Sequence, residues 1–440
     1  MAGDELFEDL PAASGAARAA GAVRLREPER DQIELRVCDL DSLIAADHPA
    51  RAIWAYAQHL DLRELEAQIK AREHRPGQAP ASPQLLLALW LYATSDGVGS
   101  AQALAKLCEQ HHAYRWLCSG VSVNYHGLAD FRTAHPALLD RLLTENVATL
   151  SVAGVIDLDE VVQDGVKVRA AAGASSFRRR KTLEEELAKA ARLVEQLQQE
   201  SERDPDAGNR RRQAAAERAA RERQERVAAA LEKLGEIEAE RARRTKTNKA
   251  QVEKQGQPRA STTDSQARIM KMADGGFRPA YNCQLATVAQ GQIVVGATAT
   301  AMGSDRGLLR PMLDELQRRY GRWPQRHLVD GGFNKNDDTE WAAGVGVAVY
   351  GPPCQTKHGT DPYAPRPDDG PGVADWRQRM NSAEGKVVYK RRSMGECINA
   401  RLRNCGLYQF TVRGLAKVQA ALLWHALANN ILAGHRLLAA

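Results

Sequence analysis

The hydrophobic period of this chain changes near residue 151, and that change limits what it can fold into. From about 36 to 150 apolar residues recur at helical spacing; from 151 they fall into short runs with the period of two that marks strands. The spacing predicts a compact all-α domain over 36–150 and an α/β domain over 151–440, and 440 residues are enough for at least one sizeable core.

Local signals divide the helical part. Ser82-Pro83 reads as an N-cap and first helical residue, with the apolar run Leu85–Tyr92 behind them. Gly97 and Gly99 end that helix and Ser100 caps the next, which continues over Ala101–Tyr114; Phe131-Arg132 and Leu138–Leu150 add more helix. Residues 1–35, rich in Ala, Gly, Arg and Glu and with little apolar periodicity, read as a mobile tail.

Beyond 151 the spacing predicts strands at Val152–Ile156 and Glu160–Ala170, the second alternating through Val162, Asp164, Val166 and Val168. Strand signals then stop for an insertion over 172–260. Lys181–Ser201 and Arg210–Arg244 are charged helices with apolar stripes, Leu183/Leu187/Val194/Leu197 and Val227/Leu231/Leu234, joined by the turn Asp204–Gly208. This is an antiparallel helical hairpin with basic flanks at Arg178–Arg180, Arg210–Arg212 and Lys246–Lys249. Such a hairpin suits a solvated arm or a dimer element, and its basic flanks also suit contact with DNA. Strands resume at Tyr281–Val288 and Gln292–Thr300, joined through Gln290-Gly291. A helix at Arg306–Tyr320, a strand at Arg326–Val329 ending on Asp330-Gly331-Gly332, and a strand at Val345–Tyr350 follow. Residues 351–386, loaded with Pro, Gly and Asp, read as a long irregular loop, and Val412–Leu438 as a closing helix.

Composition narrows the setting. A formal charge of +6 with a pI of about 8.9 is mildly basic, a weak sign of an anionic partner. The seven scattered cysteines contain no Cys-x2-Cys pair and suit a reducing cytoplasm better than a disulfide framework. The longest apolar run, Leu85–Ala93, is too short to span a bilayer, and the N-terminus lacks the apolar core of a signal peptide. A soluble cytoplasmic protein is expected.

Three acids stand where chemistry can gather. Asp164 lies in the first core strand, Asp330 at the end of the fourth, and Glu396 on the helix after the fifth. Strand ends on one edge of an α/β sheet and a facing helix can bring such acids to one point. Clustered carboxylates repel one another unless divalent cations neutralise them, and Mg²⁺ or Mn²⁺ with oxygen ligands suits that task. Glu396 also belongs to the pattern Tyr389, Arg392, Glu396, Arg403, whose offsets of 0, 3, 7 and 14 put all four on one face of a single helix. An acid, a phenol and guanidinium groups on one face suit a metal-dependent enzyme acting on a nucleic-acid backbone. Taken alone they also suit a solvated helix with an Arg392–Glu396 ion pair.

These residues, with Asp164–Val168, Ser261–Asp264, Asp274-Gly275-Gly276 leading to Tyr281–Gln284, Ser304-Asp305-Arg306 and Leu328–Phe333, resemble a bacterial insertion-sequence transposase of the DDE type. Pro83–Leu87, the Gly97–Ser100 turn and Asp130–Arg132 are similar to the helical domain that precedes the core in many such elements, so the resemblance spans about 36 to 436. It implies an α/β ribonuclease-H-like catalytic core, a mixed five-stranded sheet flanked by helices, with an N-terminal all-α domain that binds DNA ends and the helical hairpin inserted after the first core strand. It implies that Asp164, Asp330 and Glu396 form a metal-binding catalytic triad for two Mg²⁺ ions, with Mn²⁺ able to substitute, and that Tyr389, Arg392 and Arg403 hold phosphates at the transposon end. The implied activity is cut-and-paste transposition: binding of double-stranded DNA at terminal inverted repeats, metal-dependent strand cleavage, and strand transfer to target DNA. The implied assembly is a homodimer in the synaptic complex, nucleoid-associated and without a membrane partner. Position 403 is Arg where Lys is common in the family, which keeps the charge; 351–386 lacks the Cys-rich stretch of some relatives, so no zinc site is expected there. Two other functions suit the same residues: a stand-alone metal-dependent nuclease of the same fold, and a catalytically silent DNA-binding protein derived from a transposase.

Other acids and metal-type side chains have plainer readings. Asp157 and Asp159 suit a turn between strands, Asp274 precedes two glycines as turn residues do, and Asp264 after Ser-Thr-Thr suits a cap, though a location near the site is also open to it. Cys108, His111, His112 and Cys118 lack the paired spacing of a zinc site.

Overall fold

The alternating valines of the 160s form the centre of the sheet. In the computed structural model, which describes residues 31, 39–71, 79–203, 210–253, 256–354 and 361–439, β1 (Glu160–Arg169) buries Val161, Val162, Val166 and Val168. The expected tail 1–35 (residue 31 apart), the turn Asp204–Gly208 and the side chains of Lys246–Lys249 lie outside the described residues.

Ahead of β1 come α1 (Pro49–Gln58), α2 (Arg63–Gln68), α3 (Pro83–Ser95), α4 (Ala101–Gln110), α5 (His112–Cys118), α6 (Tyr125–Ala134) and α7 (Pro136–Val152). Serine caps set two starts: Ser82 Oγ accepts from Leu85 N at 3.2 Å and Ser100 Oγ from Ala103 N at 3.3 Å. The helix expected over Ala101–Tyr114 breaks at His111, whose extended backbone ends α4 while its ring caps α5 through Ala113 N. No strand forms at Val152–Ile156. Val152 ends α7, Gly154 turns the chain at φ +71°, and Val155 N bonds back to Leu150 O.

After β1, the short strand β2 (Phe177–Arg178) leads into α8 (Arg180–Arg203) and α9 (Arg210–Glu253), and β3 (Ala260–Ser261) pairs back onto β2. The two long helices meet through Leu183, Val227, Ala230 and Leu234, a small core of their own, and Arg180 pairs with Glu238 at 2.5 Å.

The main sheet has six strands where five were expected: β1, β4 (Arg268–Lys271), β5 (Phe277–Val288), β6 (Val294–Thr300), β7 (Arg326–Leu328) and β8 (Ala348–Tyr350). β1 runs antiparallel to β5 and parallel to β7, which is parallel to β8; β5 also pairs antiparallel with β6 and, at its first residues, with β4. The added strand reads Arg-Ile-Met-Lys, too short and too polar to show a period. This mixed sheet flanked by helices fits a ribonuclease-H-like core.

The remaining helices are α10 (Leu309–Tyr320), α11 (Asn336–Gly344), α12 (Pro371–Asn381), α13 (Ala383–Lys390), α14 (Ser393–Asn404) and α15 (Leu415–Ala439). α12 and the start of α13 occupy the stretch 351–386 that composition marks as loop. Glu340 on α11 accepts from Gly372 N at 3.2 Å and Val373 N at 2.9 Å, so the cap of α12 comes from a distant element. A Cβ at Gly372 would stand 2.5 Å from the Ala343 Cβ, and only glycine allows that approach.

Leu40–Ala440 form one compact unit, with a main core that runs from Ile44 to Ala433. α15 packs against α3, α7 and β6. Its amide side chains satisfy the backbone of β6: Gln419 bonds Ala297 O and Ala299 N at 2.7 Å each, and Asn430 bonds Val294 N at 2.8 Å and O at 2.7 Å. Among the described residues no helix is long and apolar enough to cross a membrane.

Candidate active site

The parallel register of β1 and β7 brings two of the acids together. It pairs Glu160 with Arg326 and Val162 with Leu328, so Asp164 and Asp330 each lie two residues past the last pair, and the Asp330 charge is near enough to raise the Asp164 carboxyl. Asp330 follows β7 directly, and its Oδ1 accepts from Gly332 N at 2.7 Å, capping the turn Gly331–Phe333. Half-buried Asp164 is held at both oxygens: Oδ1 accepts from Gly165 N at 3.0 Å and Oδ2 from Asn399 Nδ2 at 2.7 Å. Burial pushes its carboxyl up to about 6; Asp330 and Asp305 add to that, while Arg392 and the Gly165 N–H oppose it.

Tyr389, Arg392, Glu396 and Arg403 do not share one continuous helix, contrary to the expectation from spacing. α13 ends at Lys390 and α14 starts at Ser393; at the joint Met394 N bonds Arg391 O (3.0 Å) and Gly395 N bonds Arg392 O (2.9 Å), three residues back rather than four. Tyr389 therefore sits on α13, while Arg392, Glu396 and Arg403 follow one stripe of α14. A small cluster of Val162, Leu328 and Val388 holds α13 against β1 and β7.

α14 lies directly on β1 because residue 395 has no side chain. A Cβ at Gly395 would stand 2.9 Å from Val162 Cγ1 and 3.3 Å from Asp164 Cβ. Ile398 and Leu402 bury the same side of the helix, and Asn399 reaches Asp164 from it. Gly395 and Asn399 are the residues that sequence reasoning missed. Asn399 stands three residues after Glu396 and seven after Arg392, a helical spacing that could have found it.

The expected Arg392–Glu396 pair is present, with Arg392 Nη2 donating to Glu396 Oε1 at 2.5 Å. The Glu396 side chain is 62 % exposed and that of Arg392 19 %. The Arg392 guanidinium lies 6.0 Å from the centre of the Tyr389 ring. Burial pushes the Tyr389 phenol up; Arg392 opposes this and Asp330 adds to it. Arg403 is exposed on the last turn of α14. Arg391 turns instead to Glu160 at the start of β1, at 2.5 Å. Among the described residues no group of three or more His, Cys, Asp or Glu side chains is placed to hold a metal ion, and Glu396 is held by Arg392.

The other acids stand apart. Asp157 Oδ1 accepts from Asp159 N in a turn, Asp159 pairs with Arg322, and Asp274 pairs with Arg278 at 2.7 Å beside its glycine turn. Asp264 is a buried acceptor for the Tyr281 hydroxyl, at 2.8 and 2.9 Å. Cys108 and Cys118 are buried free thiols.

Residues 246–431 match the family described as Transposase DDE domain, and residues 38–134 match Transposase domain (DUF772). The first match contains Asp330, Tyr389, Arg392, Glu396 and Arg403; Asp164 precedes it, separated by α8 and most of α9. No curated protein and no solved structure matches the chain.

Proposed function

The chain belongs to the DDE transposases of insertion sequences, and from that premise we propose that it binds the terminal inverted repeats of its element, cleaves DNA strands there with divalent metal, and joins the freed 3′ ends to target DNA. What supports this reading is the parallel β1–β7 pairing, which ends two residues short of both Asp164 and Asp330, the Asp330 charge felt by Asp164, and α14 lying over β1 at Gly395.

The donor chemistry fits a hard divalent cation. Asp164 and Asp330 offer carboxylate oxygens, and burial, with the Asp330 charge adding to it, favours a proton on Asp164, a burden that a cation would relieve. Glu396 would join them once released by Arg392. Mg²⁺ or Mn²⁺, as two ions, would supply charge neutralisation and Lewis acidity at the scissile phosphate.

The side chains of this protein orient and grip. Asn399 and the Gly165 N–H fix the direction of the Asp164 carboxylate. Arg392, Arg403 and Tyr389 donate to backbone phosphates, which positions the DNA end without reading its sequence. A phosphate that draws Arg392 away frees Glu396, so arrival of DNA and completion of the acid set are coupled. The helical region 36–150 holds the repeat, and two protomers bring two ends together.

A labelled transposon-end duplex tests this. The wild-type chain in Mg²⁺ should cut the end and join it to a target, whereas Asp164→Ala, Asp330→Ala and Glu396→Ala should each bind the end without cutting it. Full cleavage by any one of these variants rejects the assignment. Purely hydrolytic products from pre-cleaved ends would indicate a nuclease, and binding without metal-dependent chemistry a silent DNA-binding descendant.

A further inference from the structure

The face of β1 turned away from Asp164 carries an unusual row of polar side chains. Gln163, Asn282, Gln284 and His327 are 0–2 % exposed, in a sheet interior where apolar residues would pack as well. They form a continuous hydrogen-bonded line across three strands. His327 Nε2 on β7 meets Gln163 Oε1 on β1 at 2.8 Å, and Gln163 Nε2 donates to Gln284 Oε1 on β5 at 2.9 Å and to Leu308 O at 3.1 Å. Gln284 Nε2 donates onward to Asp305 Oδ1 at 2.8 Å, and Asn282 Nδ2 donates to the same oxygen at 2.7 Å.

The line ends against the strand that carries Asp164. A Cβ at Gly165 would lie 2.5 Å from Asp305 Oδ1 and 2.6 Å from Gln284 Nε2, so the Asp305 carboxylate occupies the space a side chain at 165 would need. On the other face, the Gly165 N–H holds Asp164 Oδ1. The 164–165 peptide is thus fixed from behind by Asp305 and in front by its own carboxylate. His327, at the far end, lies three residues before Asp330, so the same line ties together both strands that bear the acids. Hydrogen bonds are directional where apolar packing is not, and a buried hydrogen-bonded row favours one register, here with only His327 Nδ1 left without a partner.

We propose that Asp305 is a positioning residue for strand cleavage: as the shared acceptor of Asn282 and Gln284 seated on Gly165, it sets the height of Asp164 relative to Asp330. This rests on the proposed transposase chemistry of those two acids. Asp305 positions through its acceptor oxygen, which an amide in its place also offers.

The test uses the full chain and a labelled transposon end in Mg²⁺, at a temperature where circular dichroism shows every variant folded. Asp305→Ala should lower the single-turnover cleavage rate roughly 10- to 100-fold, the range typical of residues that orient a ligating group, with end-binding affinity unchanged. Asp305→Asn should restore most of the rate. Gly165→Ala, whose methyl group displaces the carboxylate, should reproduce the loss by an independent route. Wild-type rates in Asp305→Ala, or an Asp305→Asn variant as slow as Asp305→Ala, would overturn the proposal. So would losses that follow the unfolded fraction across the series. A wild-type chain that cuts no end in any divalent metal overturns the transposase reading and this one with it; a wild-type chain that cuts while Asp305→Ala cuts equally well overturns this one alone.

Discussion

Asn399 on α14 donates a 2.7 Å hydrogen bond to the carboxylate of Asp164 on β1, joining the first strand of the core to a helix 235 residues later. That bond fixes an acid whose other oxygen is already taken by its own neighbour's N–H. Asn399→Ala should therefore lower end cleavage roughly 10- to 100-fold, as loss of an orienting partner does, with DNA-end affinity retained. Gel-shift and cleavage assays on one preparation check it, and an undiminished rate would rule out the orienting role.

Asp164 also makes stability depend on pH. Its carboxyl is raised from 3.8 to about 6 by burial, so the folded chain binds that proton more tightly than the unfolded chain does. The contribution is fully present below about pH 4 and is lost as pH rises through 6. Asp164→Asn removes the charge that burial disfavours. The variant should be more stable than wild type at pH 8, by at most about 3 kcal/mol, with the gain shrinking toward pH 4. Urea titrations at the two pH values measure the difference, and an equal gain at both would contradict the assignment.

Divalent metal should show itself as a stability increment before any chemistry. Mg²⁺ or Mn²⁺ that binds only the folded chain adds about 2.7 kcal/mol at a hundred times its dissociation constant. The melting temperature of the wild-type chain should rise with added metal, and Asp164→Asn or Asp330→Asn should abolish most of the rise. Arg392→Gln, which releases Glu396, should enlarge it in the absence of DNA.

Gly395 governs how closely α14 lies on β1. A methyl group there meets Val162, a buried and β-branched side chain, at 2.9 Å. Gly395→Ala should destabilise by about 1–3 kcal/mol, the usual penalty of overpacking, and lift Glu396 and Asn399 away from Asp164. Cleavage should fall by more than the loss of folded protein explains. A variant with wild-type stability and cleavage would show that the contact yields without consequence.

Arg392 and Arg403 should each contribute to end binding as phosphate contacts. Replacing either with Gln should weaken binding to all sequences alike and reduce the slope of log K against log salt by about one. Equilibrium binding between low and moderate salt reads that slope directly; an unchanged slope would remove that residue from the DNA interface.

Much of the fold was legible because its signals are local. The caps at Ser82 and Ser100, the alternation through Val162, Asp164, Val166 and Val168, and the apolar stripes that close α8 on α9 all act within a few residues of themselves. Three of the misreadings share one cause, a partner distant in sequence, whereas the break at His111 and the missing strand at Val152–Ile156 have local causes. α12 sits in a Pro-, Gly- and Asp-rich stretch, and its first turn is capped by Glu340 from another helix. The helix expected through 389–403 divides at Arg391–Arg392 with no proline or glycine at the break, where Arg391 reaches Glu160 on β1. β4 is four mixed residues that become a strand only because β5 offers a partner.

For the candidate site the division is sharper. Residue types and spacing marked Asp164, Asp330, Glu396 and the phenol and guanidinium groups around the third acid as candidates, and the family resemblance gave them their expected roles; helical and strand periods are short-range properties of the chain. Which groups face one another is a long-range property. The β1–β7 pairing brings the Asp330 charge within reach of Asp164, the absent side chain at Gly395 lets α14 down onto β1, and Arg392 holds Glu396 at 2.5 Å. Asn399 in front of Asp164 and Asp305 behind Gly165 gained their parts only there, since a hydrogen bond across 235 positions and a carboxylate seated against a glycine in a strand far earlier in the chain exist only once packing has brought the strands and helices together.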